Sequence, residues 1–559
     1  MNYPWLKSYP NGVPHEIDIN EYSSINDILH QAFDKYKERP SFTCMGKEFT
    51  YGEIDSLSQK FASYLQNELK LSKGDRVALM MPNILQYPIA LFGVLRAGMV
   101  AVNVNPLYTE RELEHQLKDS GAETIIIFNN SCHILEKIYP NTPIKNIITT
   151  GIGDLLGFPK SLIVNFVIKN IKKMVPDWNL PGHIKFNDIL AKGDESKFRP
   201  TEVSLSDTAF LQYTGGTTGV AKGAILSHGN IVANMLQARA WIKSSIEEGQ
   251  ETIITPLPLY HIFSLTANCF IFSSIGARNV LITNPRDIPG FVKELSKWDF
   301  SAITGVNTLF NALLNNEEFK QLDFSTLKLT LGGGMAVQKA VAQKWFQTTG
   351  KPLIEAYGLT ETSPAACINP LDSKEFNGKI GLPICSTIVK ILDDDENELP
   401  VGEAGELAIK GPQVMSGYWN RDLETKKVMT KDGFFKTGDI GTMDENGYFE
   451  IVDRKKDMIL VSGFNVYPNE VEDAIAEHEG VLEAAAIGVP DEKSGEIVKL
   501  FVVKKDPNLT QEDIIAYCRS VLTGYKVPKI VEFREELPKS NVGKILRKDL
   551  RDEEKAANG

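Results

Sequence analysis

Short apolar, β-branched runs alternate with stretches of helical periodicity along most of the chain. RVALMMP at 76–82, MVAVNVNP at 99–106 and ETIIIF at 123–128 read as buried strands. TIITPLP at 252–258 and NVLITNP at 279–285 read the same way, while 54–69 and 110–119 have helix-like spacing. Such alternation predicts an α/β fold with mostly parallel sheets covered by helices. Beyond residue 385 the texture shifts to short strands separated by turn signals, DDDENE at 393–398, GEAGE at 402–406 and DENGY at 444–448. These predict a small antiparallel subdomain. The charged run DRKKD at 453–457 reads as a linker or as the start of an exposed helix. The expected organisation is a large N-terminal domain at 1–452, a hinge at 453–457 and a small mobile C-terminal α/β domain at 458–559.

Two segments bear on membranes. The longest apolar stretch, 87–104, is broken by Pro88, Gly93, Arg96 and Gly98. A buried helix followed by a strand explains it better than a membrane span. At 161–175, Ser161, Asn165, Lys169, Lys172 and Lys173 fall on one helical stripe, with Leu162, Ile163, Phe166, Val167, Ile171 and Met174 opposite. This segment reads as a surface helix packed on its own domain, or as a helix lying on an anionic membrane.

Composition narrows the function. The 559 residues are 42% hydrophobic and 24% charged, ordinary for a globular protein of more than one domain. A net charge of −12 argues against nucleic acid as a partner and makes each local cationic cluster informative. Cys44, Cys132, Cys269, Cys367, Cys385 and Cys518 are scattered without metal spacing, so they read as small buried hydrophobes in a reducing cytosol. The N-terminus lacks a basic start followed by an apolar run, so a cytoplasmic location is expected.

The strongest local signal is LQYTGGTTGVAKGA at 211–224. Glycines let backbone N–H groups converge on a phosphate, Thr214, Thr217 and Thr218 add hydroxyls, and Lys222 adds charge. Val220 and Ala221 separate Gly219 from Lys222, so this is not a Walker A loop. The string resembles the phosphate-binding signature of the adenylate-forming superfamily, which includes acyl-CoA synthetases, luciferases and peptide-synthetase adenylation domains. EAYGLTETSP at 355–364, the segment 432–457 and LPKSNVGKILRKDL at 537–550 follow in that family's order, and the 432–457 segment resembles fatty acyl-CoA synthetases.

The resemblance implies a role for each matching residue. Tyr213, Thr214, Gly215, Gly216, Thr217, Thr218, Gly219 and Lys222 would cradle ATP phosphates. His261, an unremarkable buried histidine on its own, would contact the reacting carboxylate or α-phosphate. Gly333, Gly334 and Tyr357 would lie along adenine, and Thr360 would meet phosphate. Glu361, with Thr217, would hold Mg²⁺, a hard cation suited to such oxygens. Asp439 would accept from ribose hydroxyls, and Arg454 would reach ribose or phosphate. Lys456 would be the hinge and Gly463 would flank the CoA path. Leu460 stands where some relatives carry a second lysine, so no lysine is assigned to thioester formation. Lys544 would bridge the carboxylate and the α-phosphate, since a cation placed where two anions meet lowers that barrier.

The implied activity joins a long-chain fatty acid to CoA through an acyl adenylate, releasing AMP and pyrophosphate. The alternatives are a ligase for medium-chain or aryl acids, an oxygenase of luciferase type, and a non-catalytic nucleotide- and lipid-binding protein. Fatty acid, ATP and CoA are the expected partners. Peripheral contact with the inner membrane surface and the oligomeric state, a homodimer included, stay open.

Overall fold

The computed structural model describes residues 3–214, 221–373, 375–462, 464–491 and 493–558. The expected strands form two mainly parallel sheets. In the first, Arg76–Met80, Val100–Asn103, Thr124–Phe128 and Asn146–Thr150 run parallel, and Thr208–Thr214 joins alongside Val100–Asn103. Lys222–Ser227 then folds back antiparallel on Thr208–Thr214, which sets Lys222 beside Thr214. In the second, Arg278–Leu281, Thr252–Thr255, Ala302–Gly305, Leu329–Gly332 and Leu353–Gly358 are parallel neighbours, with Pro40–Cys44 added beside Arg278–Leu281. Strand Thr124–Phe128 is buried throughout, as its unbroken apolar run requires of a sheet covered on both faces.

Helices fill the space between these sheets. Helix Gln86–Arg96 is buried over all but its last residue and is followed by strand Val100–Asn103. The apolar run 87–104 is therefore interior, and no helix among the described residues is long and apolar enough to cross a membrane. All six cysteines are free and buried.

The third sheet is antiparallel, built from Ile388–Leu392, Gly405–Lys410, Phe435–Met443 and Phe449–Arg454. The DRKKD run is the end of that last strand followed by a turn at 455–457, not a helix start. The chain then enters a separate five-stranded sheet containing Ile459–Val461, Val481–Asp491, Gly495–Lys504 and Ile530–Arg534, with helices Pro468–Ala476 and Gln511–Val521. This unit docks on helix Asn307–Leu314, which follows strand Ala302–Gly305 of the second sheet: Thr308 Oγ1 donates to the Gly543 carbonyl at 2.8 Å, and Asn311 Nδ2 to the Leu482 carbonyl at 3.0 Å.

The amphipathic segment is helical over Lys160–Phe166 and continues as a π-helical turn over Val167–Ile171. Its mounting differs from that of a packed surface helix. The polar side is anchored on the body: Asn165 Oδ1 accepts from Gly153 N–H at 2.9 Å, and Asn165 Nδ2 donates to Asp154 Oδ1 at 2.8 Å. The apolar side faces outward, with Leu162 63% and Phe166 59% exposed, and Phe158, Ile163, Ile171 and Met174 exposed beside them.

Candidate active site

The parallel strands direct their carboxyl ends toward one region, the usual ligand position of open α/β sheets. There a cavity of about 1040 Å³ is lined by Tyr213, Thr214, Lys222, His261, Gly333, Gly334, Tyr357, Thr360, Glu361, Asp439, Arg454, Lys456 and Lys544. Every candidate residue the structure describes thus meets at one cavity. Gly215, Gly216, Thr217, Thr218, Gly219 and Gly463 lie outside the described residues.

Two glycines explain local turns at the strand ends. A side chain at Gly333 would press on the Ala356 carbonyl at 3.0 Å and the Phe263 ring at 3.2 Å. A side chain at Gly358 would collide with the Pro364 carbonyl, where the strand folds back toward Ala365–Ile368. That reversal presents Thr360 and Glu361 to the cavity.

Carboxylates and aromatic hydroxyls are paired across elements. Tyr357 Oη donates to Asp439 Oδ2 at 2.6 Å, and Arg454 Nε lies 3.2 Å from Asp439 Oδ1. Cross-strand register places Asp439 opposite Arg454, so the third sheet positions both. Tyr418 Oη donates to Glu361 Oε1 at 2.6 Å, and burial raises the pKa of Glu361. Tyr213 directs its hydroxyl to Asp119 Oδ2 at 2.7 Å, so its polar end is engaged within the protein. Among the described residues no group of three or more His, Cys, Asp or Glu could cage a metal. Mg²⁺ commonly takes only one or two protein carboxylates beside substrate phosphates, and the single hard carboxylate of Glu361 fits that use.

The cationic end is perturbed as well. Lys544 sits at the end of a tight turn, where Ser540 N–H donates to the Lys544 carbonyl at 2.7 Å and the Lys544 N–H donates to Ser540 Oγ at 3.1 Å. The neighbouring Arg454 guanidinium, followed by burial, pushes the Lys544 ammonium down to about 7. His261 is pushed down to about 4 by burial and by Lys544, so it is neutral at pH 7. Its Nδ1 accepts from Phe263 N–H at 3.3 Å as the cap of helix Ile262–Ser264, leaving the Nε2 proton as the ring's donor.

Sequence reasoning passed over several lining groups. Burial pushes the Glu355 carboxyl up to about 8, and its Oε1 accepts from Val337 N–H at 3.2 Å, bracing the loop that carries Gly333 and Gly334. Arg547 joins Asp453 at 3.1 Å to Glu472 at 2.6 Å, one on each side of the 455–457 turn. Arg547 lies three residues beyond Lys544, and that spacing was the available signal. Tyr418 comes from a segment without a motif, and only the tertiary fold brings it to the cavity, as it brings Glu424 to the lining residue Lys222.

The AMP-binding enzyme family matches residues 29–419, and its C-terminal domain matches residues 470–544. A long-chain-fatty-acid–CoA ligase of Yersinia pestis is 60% identical over 554 residues, covering 99% of this chain and 98% of that one. One from Escherichia coli O6:H1 is 58% identical over 553 residues, with 99% and 98% coverage. Among solved structures, an anthranilate CoA ligase in complex with anthranoyl-AMP superimposes with a TM-score of 0.86 at 24% identity, covering 97% of this chain and 100% of that one, a likeness of fold.

Because the Lys544 pKa is depressed to about 7, the charged form prevails below that pH and is lost above it. ATP affinity, measured by calorimetry, is therefore expected to weaken as pH rises through about 7. Lys544→Arg, whose guanidinium stays charged, should flatten that dependence.

Proposed function

The chain belongs to the AMP-binding enzymes, and from that premise we propose that it is a long-chain fatty acid–CoA ligase working through an acyl adenylate. The observation that carries this reading is a single cavity joining a cationic end to an apolar arm. The arm's apolar lining is Ala238 and Ile242 on helix His228–Ile242 with Ala267 and Ile271 on the π-helical stretch Leu265–Ile271, while the neighbouring Asn234 and Thr266 bond to the Ala365 and Ser363 carbonyls. Residues 234 to 242 span two helical turns, about 12 Å of wall for an alkyl chain.

In the first half-reaction a fatty carboxylate oxygen attacks the α-phosphorus of ATP. The new C(O)O–P bond forms as the α–β bridge bond breaks, and pyrophosphate leaves with the electron pair. Protonated Lys544 lies between the carboxylate and the α-phosphate and offsets their repulsion. Neutral His261 donates from Nε2 to an oxygen of the same pair. Asp439 and Tyr357 hold the nucleoside, and Arg454 and Thr360 meet ribose or phosphate. When bound, Mg²⁺ neutralises phosphate charge, with Glu361 and Thr217 as the residues that would hold it.

In the second half-reaction a CoA thiolate attacks the acyl carbon and AMP leaves with the bond pair. The residues 458–559 turn about Lys456, withdrawing Lys544 and bringing Gly463 beside the thiol's path. Domain steps of this kind assemble one arrangement at a time. Residues 158–174 seat the enzyme on the inner membrane surface, where its sparingly soluble substrate collects. The support is an outward apolar face flanked by exposed Lys169, Lys172 and Lys173.

The function is tested by CoA-thioester formation across saturated acids of increasing length. Turnover per KM should peak at long chains, and a maximum at aryl or short acids would refute the reading. Lys544→Ala should lower pyrophosphate release by about 10²–10³-fold. The same variant should transfer acyl from supplied acyl-AMP to CoA at near wild-type rate. In flotation with anionic vesicles the protein should rise with lipid. Leu162→Ser with Phe166→Ser should abolish that, leaving thioester formation from a soluble acid unchanged.

A further inference from the structure

Lys222 stands at the start of strand Lys222–Ser227 and faces the cavity, but its charge is already taken. Its ammonium lies 2.6 Å from Glu424 Oε2, with the two side chains 26% and 35% exposed. It also lies over the Tyr418 ring, 5.2 Å from the centroid, and Tyr418 in turn holds Glu361. Glu424 sits on helix Asp422–Val428, whose Lys427 and Val428 line the cavity while Glu424 reaches it through Lys222. Arg421 braces that helix: its Nε is 3.7 Å from Glu424 Oε1 and its Nη2 is 2.8 Å from Asp119 Oδ1. The carboxylate is thus held in place on the cation that the phosphate-loop reading assigns to ATP.

A half-exposed carboxylate–ammonium pair is weak, whereas a triphosphate tail brings several charges to the same ammonium. The tail can therefore take Lys222 from Glu424 without unseating the lysine, because its ammonium still lies over the Tyr418 ring.

We propose that Glu424 is a positioning residue that holds Lys222 as a surrogate anion, yields it to the terminal phosphates of ATP, and reclaims it as pyrophosphate departs. The proposal rests on the reading that Lys222 meets the triphosphate tail. Glu424 then weakens the binding of ATP and pyrophosphate and speeds pyrophosphate release, while AMP, lacking the terminal phosphates, leaves the pair intact.

Calorimetric titration of the full-length protein with Mg·ATP, Mg·pyrophosphate and AMP tests this. Glu424→Gln should bind ATP and pyrophosphate about three- to fivefold tighter, the range a half-exposed pair supports, with AMP unchanged. Glu424→Ala should reproduce the pattern, and Glu424→Asp should restore wild-type values. Equal shifts for all three ligands would mark Glu424 as merely structural and overturn the proposal. So would unaltered ATP affinity in both carboxylate-free variants while Lys222→Ala weakens ATP. If Lys222→Ala itself leaves ATP binding intact, the phosphate-loop reading falls, and the proposal with it.

Discussion

Two cations, Arg454 and Lys544, line the same half-buried cavity, and the repulsion of Lys544 by Arg454 is the constraint around which the site is arranged. Arg454 is the first cause of the depressed Lys544 pKa, ahead of burial. Asp439 offsets part of this charge but is shared with Tyr357 and Arg454. The arrangement persists because the rest of the molecule enforces it. Arg454 is fixed by cross-strand register, and the Lys544 turn is tied through Thr308 to helix Asn307–Leu314. A site that keeps positive charges close at a cost in repulsion is preorganised for an anion, since a phosphate or carboxylate placed there offsets that repulsion.

Much of this was legible in the sequence, for a physical reason. Strand-end motifs carry both local conformation and chemistry, so YGLTE at the end of Leu353–Gly358 and the residues near Asp439 announce themselves by composition and order. The buried helix within 87–104 was legible because Pro88, Gly93 and Arg96 rule out a span. Tyr418, Glu424 and Asp119 were not legible, because each reaches the site region by packing between distant elements. Glu355 sat in view beside AYGLTE, yet only its burial reveals a carboxyl that stays protonated at neutral pH.

The helix at 160–166 shows what periodicity leaves undecided. Helical spacing sorts residues into two faces but does not say which face meets the protein. Here the contacts of Asn165 with Gly153 and Asp154 decide, and they turn the apolar face outward. Anchoring by polar side chains is directional, so the exposed face is presented at a fixed angle to the body.

Arg547 has a consequence for timing. Asp453 and Glu472 share this one guanidinium from opposite sides of the 455–457 turn, and Asp453 is fully buried. Arg547 and Glu472 lie on the same side of the turn, so a large rotation there would take the guanidinium from Asp453, a costly loss for so buried a carboxylate. On the proposed turn about Lys456, this shared guanidinium would be the latch that has to let go of Asp453 before residues 458–559 could swing.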